Sequence, residues 1–293
     1  VMVGASEAPI TPEVIEGYRT MGALAEDDAL NKLDGHVGPT DNTRACRPFS
    51  ENCGFTLSEA SQFVILFDDE LALELGANIY GSVGDVFINA DGFKKSIPGP
   101  GIGNYVTMGK SMGMVRSLLG EEALRNRTYV QAHGTSTPQN RVTESHIINE
   151  LAKPFKIDHW PVAAIKAYIG HSLATAAGDQ IATSLGVWAH GIIPGIKTVD
   201  HIAEDVHASN LEFLLQHKEI DPTKMDAVFI NSKGFGGNNA TASILSPTVT
   251  AQMLEKKHGK SAMTKHQKLN EKVAESTHQY DVDTIAGKNE LIY

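Results

Sequence analysis

Short apolar runs alternate with helical segments along most of this chain, and this alternation limits the folds that the chain can adopt. The clearest run, residues 61–67, reads Ser-Gln-Phe-Val-Ile-Leu-Phe and predicts a strand, because aromatic and β-branched residues favour strands. A helix is predicted directly after it, over residues 68–76, with Gly76 as its end. Strands that alternate with helices indicate an α/β layered fold, and their order resembles two copies of one half-fold joined near residue 76.

The same criteria predict the remaining elements. We expect further strands at 79–89, 128–132, 162–165, 227–230 and 241–245, and helices at 12–25, 105–119, 144–151 and 171–188. Residues 1–3 predict the end of a buried strand. Residues 26–50 and 92–103 predict loops, because Gly, Pro, Asp and Asn are frequent in them.

Three parts are predicted along the chain. Residues 1–76 form the end of a first half-fold, and residues 77–247 form a complete second half-fold. Residues 248–293 are rich in Lys, Glu, Gln and His, which predicts a polar tail with one helix at 251–276.

Composition excludes several classes of protein. Hydrophobic residues make up 41% of the 293 residues and charged residues 20%, as in a soluble globular protein. A net charge of −10 argues against a nucleic-acid partner, since phosphate binding needs clustered Lys and Arg. The most apolar stretch, 161–196, is interrupted by charged and His side chains, so we expect no membrane span. Two cysteines are too few for a disulfide framework, which predicts reduced thiols and a cytoplasmic location.

The first seven residues do not have the pattern of a protein N-terminus. They read Val-Met-Val-Gly-Ala-Ser-Glu, with no basic region and no initiator Met, so no signal peptide is predicted. The opening has the pattern of a strand and its loop. We therefore expect the chain to be a fragment or a processed product.

The run His-Gly-Thr-Ser-Thr-Pro, from His133 to Pro138, directly follows an apolar strand. Residues at the carboxyl ends of strands in α/β folds face the crevice in which ligands bind. A neutral imidazole there can donate a hydrogen bond without carrying a full charge. His133 is therefore a candidate catalytic residue, although a turn histidine that caps the next helix is an open alternative.

Lys166 and His171 lie on either side of Gly170. The pattern predicts that Lys166 ends a strand and that His171 opens a helix. A helix N-terminus and a nearby lysine both favour a neutral imidazole, which suits donation to an enolate or oxyanion. A solvated lysine with a helix-capping histidine is the alternative for this segment.

The glycine-rich stretch 234–237 lies between two predicted strands. Its glycines let a backbone N–H approach a ligand closely, and such stretches also form plain tight turns. Glu144 and Asn140 follow the His133 run, and both fit helix capping as well as a role in the site.

Residues 46–59 carry charged and sulfur-containing side chains for which no catalytic role is expected. Arg47 and Glu59 are predicted to form structural ion pairs. Cys46 and Cys53 lie in a polar loop rather than on a strand-to-helix elbow, so neither is expected to be a nucleophile.

Together these segments resemble the β-ketoacyl-acyl-carrier-protein synthases, the condensing enzymes of fatty-acid and polyketide synthesis. The resemblance extends over residues 1–247 and rests on the order and spacing of its landmarks. The landmarks are Val3-Gly4-Ala5-Ser6-Glu7, Arg47-Pro48-Phe49, Gly54-Phe55, His133-Gly134-Thr135-Ser136-Thr137-Pro138, Glu144, Lys166, Gly170-His171, Ala176-Ala177-Gly178 and Gly234-Phe235-Gly236-Gly237-Asn238-Asn239. The resemblance implies a thiolase-like layered fold and, because Gly170-His171 is present, the two-histidine subclass.

In this family a cysteine carries the acyl group, and the enolate from decarboxylation of a malonyl thioester attacks that group. The resemblance assigns to His133 and His171 the donation of hydrogen bonds to the malonyl thioester oxygen. It assigns to Lys166 a structural and electrostatic role. It assigns to Phe235 a gating role, with the backbone of Phe235 and Gly236 at the oxyanion hole. The residues implied to support these are Thr135, Thr137, Glu144, Gly234 and Gly237.

The resemblance also implies the partners. They are acyl-carrier protein, acyl and malonyl thioesters, and a second copy in a homodimer. Acyl groups travel on the phosphopantetheine of carrier protein or on coenzyme A, so no metal and no other cofactor is expected. The family's nucleophilic cysteine lies upstream of the segment that matches Val1. We therefore expect the chain alone to be inactive and to be completed by the N-terminal half of the same enzyme.

The chain departs from the family pattern near Lys166. Gln180 stands where the family commonly has a glutamate that pairs with this lysine, and Asp179 is a candidate replacement. The alternative function is a non-catalytic partner subunit that shapes the acyl cavity or binds carrier protein. Retention of His133, Lys166 and His171 favours the enzyme. A thiolase-type acyl-CoA enzyme shares the fold but has a different His and Cys context near its C-terminus.

Overall fold

The structure is a computed structural model that describes residues 1–92 and 101–289, so most of the loop predicted at 92–103 lies outside the described residues. The strands are β1 (Met2–Glu7), β2 (Ala60–Ile65), β3 (Ser82–Ala90), β4 (Thr128–Gln131), β5 (Trp160–Ala163), β6 (Ile192–Ile193), β7 (Leu211–Phe213), β8 (Lys218–Glu219), β9 (Ala227–Gly234) and β10 (Asn238–Leu245). The helices are α1 (Pro12–Thr20), α2 (Asp27–Asp34), α3 (Asp69–Leu75), α4 (Ile102–Asn126), α5 (Pro138–Phe155), α6 (Lys166–Ile169), α7 (Ala176–His190) and α8 (Pro247–Ile285). No helix in the described ranges is both long and apolar enough to cross a membrane.

The chain forms two compact units. The larger comprises residues 4–63 and 83–246. The smaller comprises residues 1–3 and 64–82 together with those after residue 246. The sequence predicted a division into two half-folds and a tail, which is a different criterion from the compactness of these two units. The three-part division therefore stays a prediction.

The larger unit is built on a six-stranded sheet with the order β3-β10-β9-β4-β5-β7. Strands β9, β4, β5 and β7 are parallel, whereas β10 runs antiparallel to β9. Parallel strands are usually covered on both faces, and β4 is buried along its whole length. Because β4, β5 and β9 are parallel, their carboxyl ends lie at one edge of the sheet. The segments that follow them carry His133, Lys166 and Phe235.

Helix α7 packs onto this sheet through an apolar cluster. The cluster combines Val187 and Trp188 of α7 with Tyr129 of β4 and Ile230 of β9. The Trp188 indole N–H donates to the Met225 carbonyl oxygen at 2.8 Å, so its polar group is satisfied. Full burial of an aliphatic side chain such as Val187 stabilises the fold by about 1.5–3 kcal/mol. This cluster fixes the strands whose ends carry the candidate site.

Two expectations about the first 60 residues are wrong. Part of the loop predicted at 26–50 is helix α2, in which Leu30 is fully buried and Gly35 supplies a left-handed end at φ 61°. The acidic residues that suggested a loop, Asp27 and Asp28, occupy its first turn, where they complement the helix dipole. The opening strand is not buried, since Met2 is 65% exposed. Strand β1 pairs with β2 in a two-stranded sheet and therefore lacks the cover of a central strand.

In the smaller unit the polar tail is helical. Helix α8 is longer than the helix predicted there and is broken at Gly259, where φ is 83° and ψ is 162°. Asp69 of α3 accepts a hydrogen bond from the Lys257 ammonium of α8 at 2.5 Å. Gly76 ends α3 in the left-handed region, and a Cβ there would lie 2.6 Å from the Leu269 Cβ. The close approach of the two helices therefore requires glycine at this position.

Candidate active site

A pocket of about 400 Å³ opens in the larger unit where β4 and β9 end. It combines aromatic rings, two histidines, hydroxyl groups and amides. Its lining residues are Tyr18, Met21, Gly22, Ala23, Phe55, His133, Thr135, Thr137, Pro138, Gln139, Asn140, His171, Leu173, Lys233, Gly234 and Phe235. The His133 run, the His171 segment and the glycine-rich loop, which are separate in sequence, therefore meet at one cavity.

The His133 turn is held by a carboxylate. The His133 backbone N–H donates to Glu144 Oε1 at 2.7 Å, and the Gly134 N–H donates to Glu144 Oε2 at 2.9 Å. Gly134 has a φ of 48°, which favours glycine and turns the chain sharply after β4. The carboxylate therefore fixes the turn that brings the His133 imidazole to the pocket.

Glu144 is fully buried on α5. Besides the two backbone donors, it accepts hydrogen bonds from Asn140 Nδ2 at 2.9 Å and Asn231 Nδ2 at 2.7 Å. These donors replace the water that a buried carboxylate loses. The sequence left helix capping open for Glu144, and the structure instead shows it bound to the turn that carries His133.

Lys166 lies at the start of helix α6 rather than at the end of a strand, which corrects the sequence expectation. Its buried ammonium donates to the His133 carbonyl oxygen at 2.6 Å. Burial lowers the pKa of Lys166 to about 8, while the Glu144 carboxylate acts in the opposite direction. His133 is thus bound through its N–H by Glu144 and through its C=O by Lys166.

His171 is held by backbone pairing and does not open a helix. Its N–H donates to the Thr56 carbonyl oxygen at 2.7 Å, and its carbonyl oxygen accepts from the Ser58 N–H at 3.1 Å. Gly170 has φ 73° and ψ −163°, and a Cβ there would lie 2.9 Å from the Thr56 oxygen. This pairing keeps the segment extended, so that α7 begins only at Ala176.

The two imidazole rings lie side by side. Their centroids are 5.3 Å apart and their planes are at 85°. Burial lowers the pKa of both His133 and His171 well below 6.5, and the nearby Lys166 ammonium lowers both further. His171 Nδ1 accepts from the Leu173 N–H at 3.1 Å, so a neutral His171 carries its proton on Nε2. The site therefore contains two neutral imidazoles, each able to donate one hydrogen bond.

Hydroxyl groups line the pocket beside His133. The Thr135 and Thr137 hydroxyls are 3.1 Å apart. Between them, the Ser136 hydroxyl accepts from the Arg47 N–H at 2.6 Å. The Arg47 guanidinium pairs with Asp34 at 2.5 Å, which confirms an ion pair for this arginine.

Phe235 lies in the turn between β9 and β10 and lines the pocket with 39% of its side chain exposed. Gly236 and Gly237 each have a φ of 82°, a conformation that favours glycine. Gly234 lines the pocket, whereas Gly236 and Gly237 are not among its lining residues. The Phe235 ring contacts Tyr18, with a centroid distance of 5.9 Å.

Comparison with known proteins shows which sequences this chain is similar to. Residues 80–200 match the model of the family described as "Beta-ketoacyl synthase, C-terminal domain". The whole chain is 51% identical over 294 aligned residues to beta-ketoacyl-[acyl-carrier-protein] synthase FabY of Pseudomonas aeruginosa, of which it covers 46%. Residues 80–200 of this chain therefore belong to the β-ketoacyl synthase family as its C-terminal domain. A 3-oxoacyl-[acyl-carrier-protein] synthase 2 from Synechocystis is 30% identical over 82% of the chain and 53% of that protein.

Solved structures of ketosynthases share the fold. The crystal structure of FabY from P. aeruginosa matches all of this chain and 46% of that one, with a TM-score of 0.96 and 52% identity. A type II polyketide ketosynthase in complex with its acyl-carrier protein matches 84% of the chain at a TM-score of 0.68 and 21% identity, which indicates the fold alone. The thiolase-like α/β fold expected from the sequence is confirmed. The chain spans about half the length of the relatives that it matches.

Gln180, which the resemblance places where a glutamate is common, has a clear structural role. The Gln180 amide donates to the carbonyl oxygens of Gln131 (3.0 Å), Ala132 (2.8 Å) and Asn231 (3.1 Å). Gln180 therefore joins the ends of β4 and β9 rather than pairing with Lys166. Asp179 accepts from Ser172 and from Gln62, at 3.0 Å for the latter. Both carboxylates raise the pKa of Lys166 against the effect of burial, and Glu144 does so more strongly than Asp179.

The two cysteines lie outside the pocket lining formed by the described residues. Cys46 is buried, and burial raises the pKa of its thiol to about 12. Burial also raises the pKa of Cys53. A nucleophilic thiol needs the opposite shift, because the thiolate is the reactive form.

Sequence reasoning missed part of the site. Tyr18 and Phe55 line the pocket, and Asn231 joins Glu144 to the Asn104 amide through hydrogen bonds of 2.7 Å each. The available signal for Asn231 was its place directly after the strand predicted at 227–230, because residues that follow strands in α/β folds face the ligand crevice. Within residues 1–92 and 101–289, no group of three or more His, Cys, Asp or Glu side chains is arranged to hold a metal ion.

Proposed function

We propose that the protein containing this chain is a β-ketoacyl-acyl-carrier-protein synthase. It would catalyse the decarboxylative Claisen condensation of an acyl thioester with malonyl-acyl-carrier protein, in fatty-acid or polyketide synthesis. The observation that carries the proposal is the pair of imidazoles of His133 and His171, 5.3 Å apart at one pocket. Family membership supports the same reaction.

The reaction places negative charge on the malonyl thioester oxygen. When the bond between the α-carbon and the carboxylate breaks, carbon dioxide leaves and the electron pair forms the enolate. Neutral N–H donors from His133 and His171 stabilise this charge as it develops, which lowers the barrier. The enolate carbon then attacks the acyl carbonyl, the new carbon–carbon bond forms, and the thiolate of the enzyme cysteine that carried the acyl group leaves.

Lys166 would act through the histidines. Its ammonium binds the His133 carbonyl oxygen and lowers the pKa of both imidazoles, so that they remain neutral donors. The Thr135 and Thr137 hydroxyls line the same pocket and would bind a polar arm such as phosphopantetheine. No other cofactor is proposed.

The nucleophile would come from a part of the protein outside this chain. Cys46 is buried with a raised pKa, and neither cysteine lines the pocket in the part of the chain that the structure describes. The chain alone would therefore not form an acyl-enzyme. Completion by an N-terminal half and a homodimer belong to the same proposal.

The test is release of carbon dioxide from malonyl-acyl-carrier protein by the full-length protein and by its His133→Ala and His171→Ala variants. Loss of one oxyanion donor typically lowers such a rate by about a hundred- to a thousandfold. The exposed His190 supplies the matched control, His190→Ala, which should retain the wild-type rate. Unchanged release in both pocket variants would favour the alternative, a non-catalytic partner subunit.

A further inference from the structure

Phe235 lies in a glycine-rich loop and contacts the pocket residue Tyr18. Among the described residues its ring pairs with one other aromatic ring, that of Tyr18, at 5.9 Å and an interplanar angle of 32°. Its neighbours in the loop are glycines, which add no side-chain packing. A Cβ at Gly236 would have only the Asn238 amide within 4 Å, at 3.6 Å. Tyr18 therefore supplies the aromatic contact of the Phe235 ring at the pocket.

The backbone of the loop is fixed mainly at its far end. The Gly237 carbonyl oxygen accepts from the Asp91 N–H at 2.9 Å and from Asn239 Nδ2 at 3.0 Å. The Phe235 carbonyl oxygen accepts only an exposed bond from Asn238 Nδ2, at 3.0 Å, in the hydrogen bonds that the structure describes for it. These hydrogen bonds fix the backbone at Gly237. They do not involve the Phe235 ring, which contacts Tyr18.

Tyr18, in contrast, is anchored. Its carbonyl oxygen accepts from the Ala23 N–H at 3.0 Å. The Ala23 carbonyl oxygen accepts from the Phe55 N–H at 2.9 Å, and the Ala25 N–H donates to the Phe55 carbonyl oxygen at 3.1 Å. A Cβ at Gly54 would lie 2.2 Å from the backbone of the facing segment, so the two segments are in close contact.

The same frame continues to His171. The Tyr18 and Phe55 rings meet edge to face at 5.2 Å, and the Phe55 and His171 rings meet at 5.3 Å. The residue after Phe55, Thr56, accepts the His171 N–H at 2.7 Å. Tyr18, Phe55 and His171 thus belong to one hydrogen-bonded and ring-packed frame, against which Phe235 rests.

We propose that Tyr18 is a positioning residue that holds the Phe235 ring at a fixed place relative to His171. Through Phe235 it sets how readily a thioester enters the pocket. The identity of the substrate in this statement rests on the proposed function, whereas the contact between the two rings does not. The ring of Tyr18 makes the contact, so its hydroxyl is not required.

The test compares Tyr18→Leu, which removes the ring, with Tyr18→Phe, which retains it, in the full-length protein. Amide hydrogen exchange of residues 234–237, measured without substrate, reports the loop directly. Loss of an aromatic pair of this geometry shifts an equilibrium by roughly 2- to 12-fold. We expect Tyr18→Leu to raise exchange of the loop by that factor and to change KM for the malonyl thioester more than kcat. Tyr18→Phe should match the wild type.

Two further variants make the result decisive. Phe235→Leu removes the other ring, and adding Tyr18→Leu to it should raise loop exchange no further. Tyr80→Leu, at a 62%-exposed tyrosine in the smaller unit, is the control and should change nothing in the loop. Unchanged loop exchange in Tyr18→Leu, or equal effects of Tyr18→Phe and Tyr18→Leu, would overturn the proposal. Raised exchange together with a wild-type protein that releases no carbon dioxide would refute the proposed function and leave the role of Tyr18 intact.

Discussion

The two histidines of the pocket are held in place by different means. The His133 peptide is bound by charge, with its N–H on the Glu144 carboxylate and its C=O on the Lys166 ammonium. The His171 peptide is bound by backbone alone, with its N–H on Thr56 and its C=O on Ser58. The rings lie 5.3 Å apart, yet the segments that carry them depend on different interactions.

This difference determines which substitutions each segment tolerates. A buried charge whose partner is removed is left uncompensated, so the His133 segment is sensitive to loss of one side chain. Backbone pairing uses no side chain, so the His171 segment is sensitive to an added atom at Gly170. The comparison therefore predicts that different substitutions displace the two neighbouring histidines.

The largest expected effect is that of Glu144→Leu. It removes a carboxylate that accepts four hydrogen bonds and that acts electrostatically to stabilise the charged form of the buried Lys166. Each buried donor left without a partner typically costs about 1–3 kcal/mol, so Glu144→Leu should destabilise the protein by several kcal/mol. Urea unfolding of the full-length protein should show this loss, and decarboxylation should be abolished.

Glu150→Gln is the matched control for Glu144→Leu. Glu150 lies on the same helix, with an exposed ion pair to Lys153. Exposed pairs contribute about 0–1 kcal/mol, so the control should unfold near the wild-type urea concentration. A Glu144→Leu variant as stable as Glu150→Gln would show that charge does not hold the His133 turn.

Gly170→Ala should have the next largest effect and should act on the other segment. The conformation at φ 73° and ψ −163° is open essentially to glycine, and the added Cβ would meet the Thr56 carbonyl oxygen at 2.9 Å. Backbone strain of this kind costs about 1–3 kcal/mol. Decarboxylation should fall because His171 moves, while exchange of the His133 and Gly134 amides stays at the wild-type rate.

Gly186→Ala is the control for the backbone effect. Gly186 lies in helix α7, and a Cβ there meets nothing within 4 Å. Alanine in a helix interior is favoured over glycine by about 0.5–1 kcal/mol, so this variant should gain stability. A Gly170→Ala variant that behaves like Gly186→Ala would contradict the backbone account of His171.

Much of this arrangement could be predicted from sequence, because it follows from strand ends. The apolar run before His133 predicted a strand, and residues after the strands of an α/β fold face the crevice in which ligands bind. The resemblance to the β-ketoacyl synthases implied that His133 and His171 share one pocket with Phe235 beside them, and all three residues line the pocket. Their catalytic and gating roles remain predictions.

The supports of the two histidines could not be predicted, because they come from distant segments. Nothing local to His171 indicates that residues 56–58 pair with it, and the pattern therefore suggested a helix N-terminus. Likewise, Gln180 and Asn231 satisfy buried carbonyl and carboxylate groups that exist only once the strands are assembled. Buried polar networks depend on tertiary structure, which periodicity does not encode.

The pH dependence of stability tests both histidines together. Burial and the Lys166 ammonium place the pKa of His133 and of His171 below 6.5 in the folded state. Below about pH 6.5 the unfolded chain therefore binds protons that the folded chain does not, so stability falls as the pH falls. Above that pH the imidazoles are neutral in both the folded and the unfolded state, so the two histidines no longer make stability depend on pH.

The measurement is urea unfolding of the full-length protein between pH 5 and pH 7.5, for the wild type, His133→Gln and His171→Gln. Each substitution should flatten the acid side of the profile by up to about 1.4 kcal/mol per pH unit, the value for one proton. Equal slopes in all three proteins would mean that the folded site accepts these protons, and that its imidazoles are not held neutral.

The smallest effect is expected for Cys46, which lies between the two segments. Ser136 of the His133 run and the backbone of Thr56, the residue that binds His171, lower the pKa of the Cys46 thiol, but burial outweighs them. Burial raises its pKa to about 12, so it stays a thiol at neutral pH and is a poor nucleophile. Cys46→Ser keeps a hydrogen-bonding group of similar size, and it should change stability by less than about 1 kcal/mol.

Incubation of this chain with an acyl thioester, followed by intact mass analysis, should show no acyl group on wild type or variant. Stoichiometric acylation that disappears in Cys46→Ser would make this thiol the acyl carrier and would place the nucleophile between the two histidine segments.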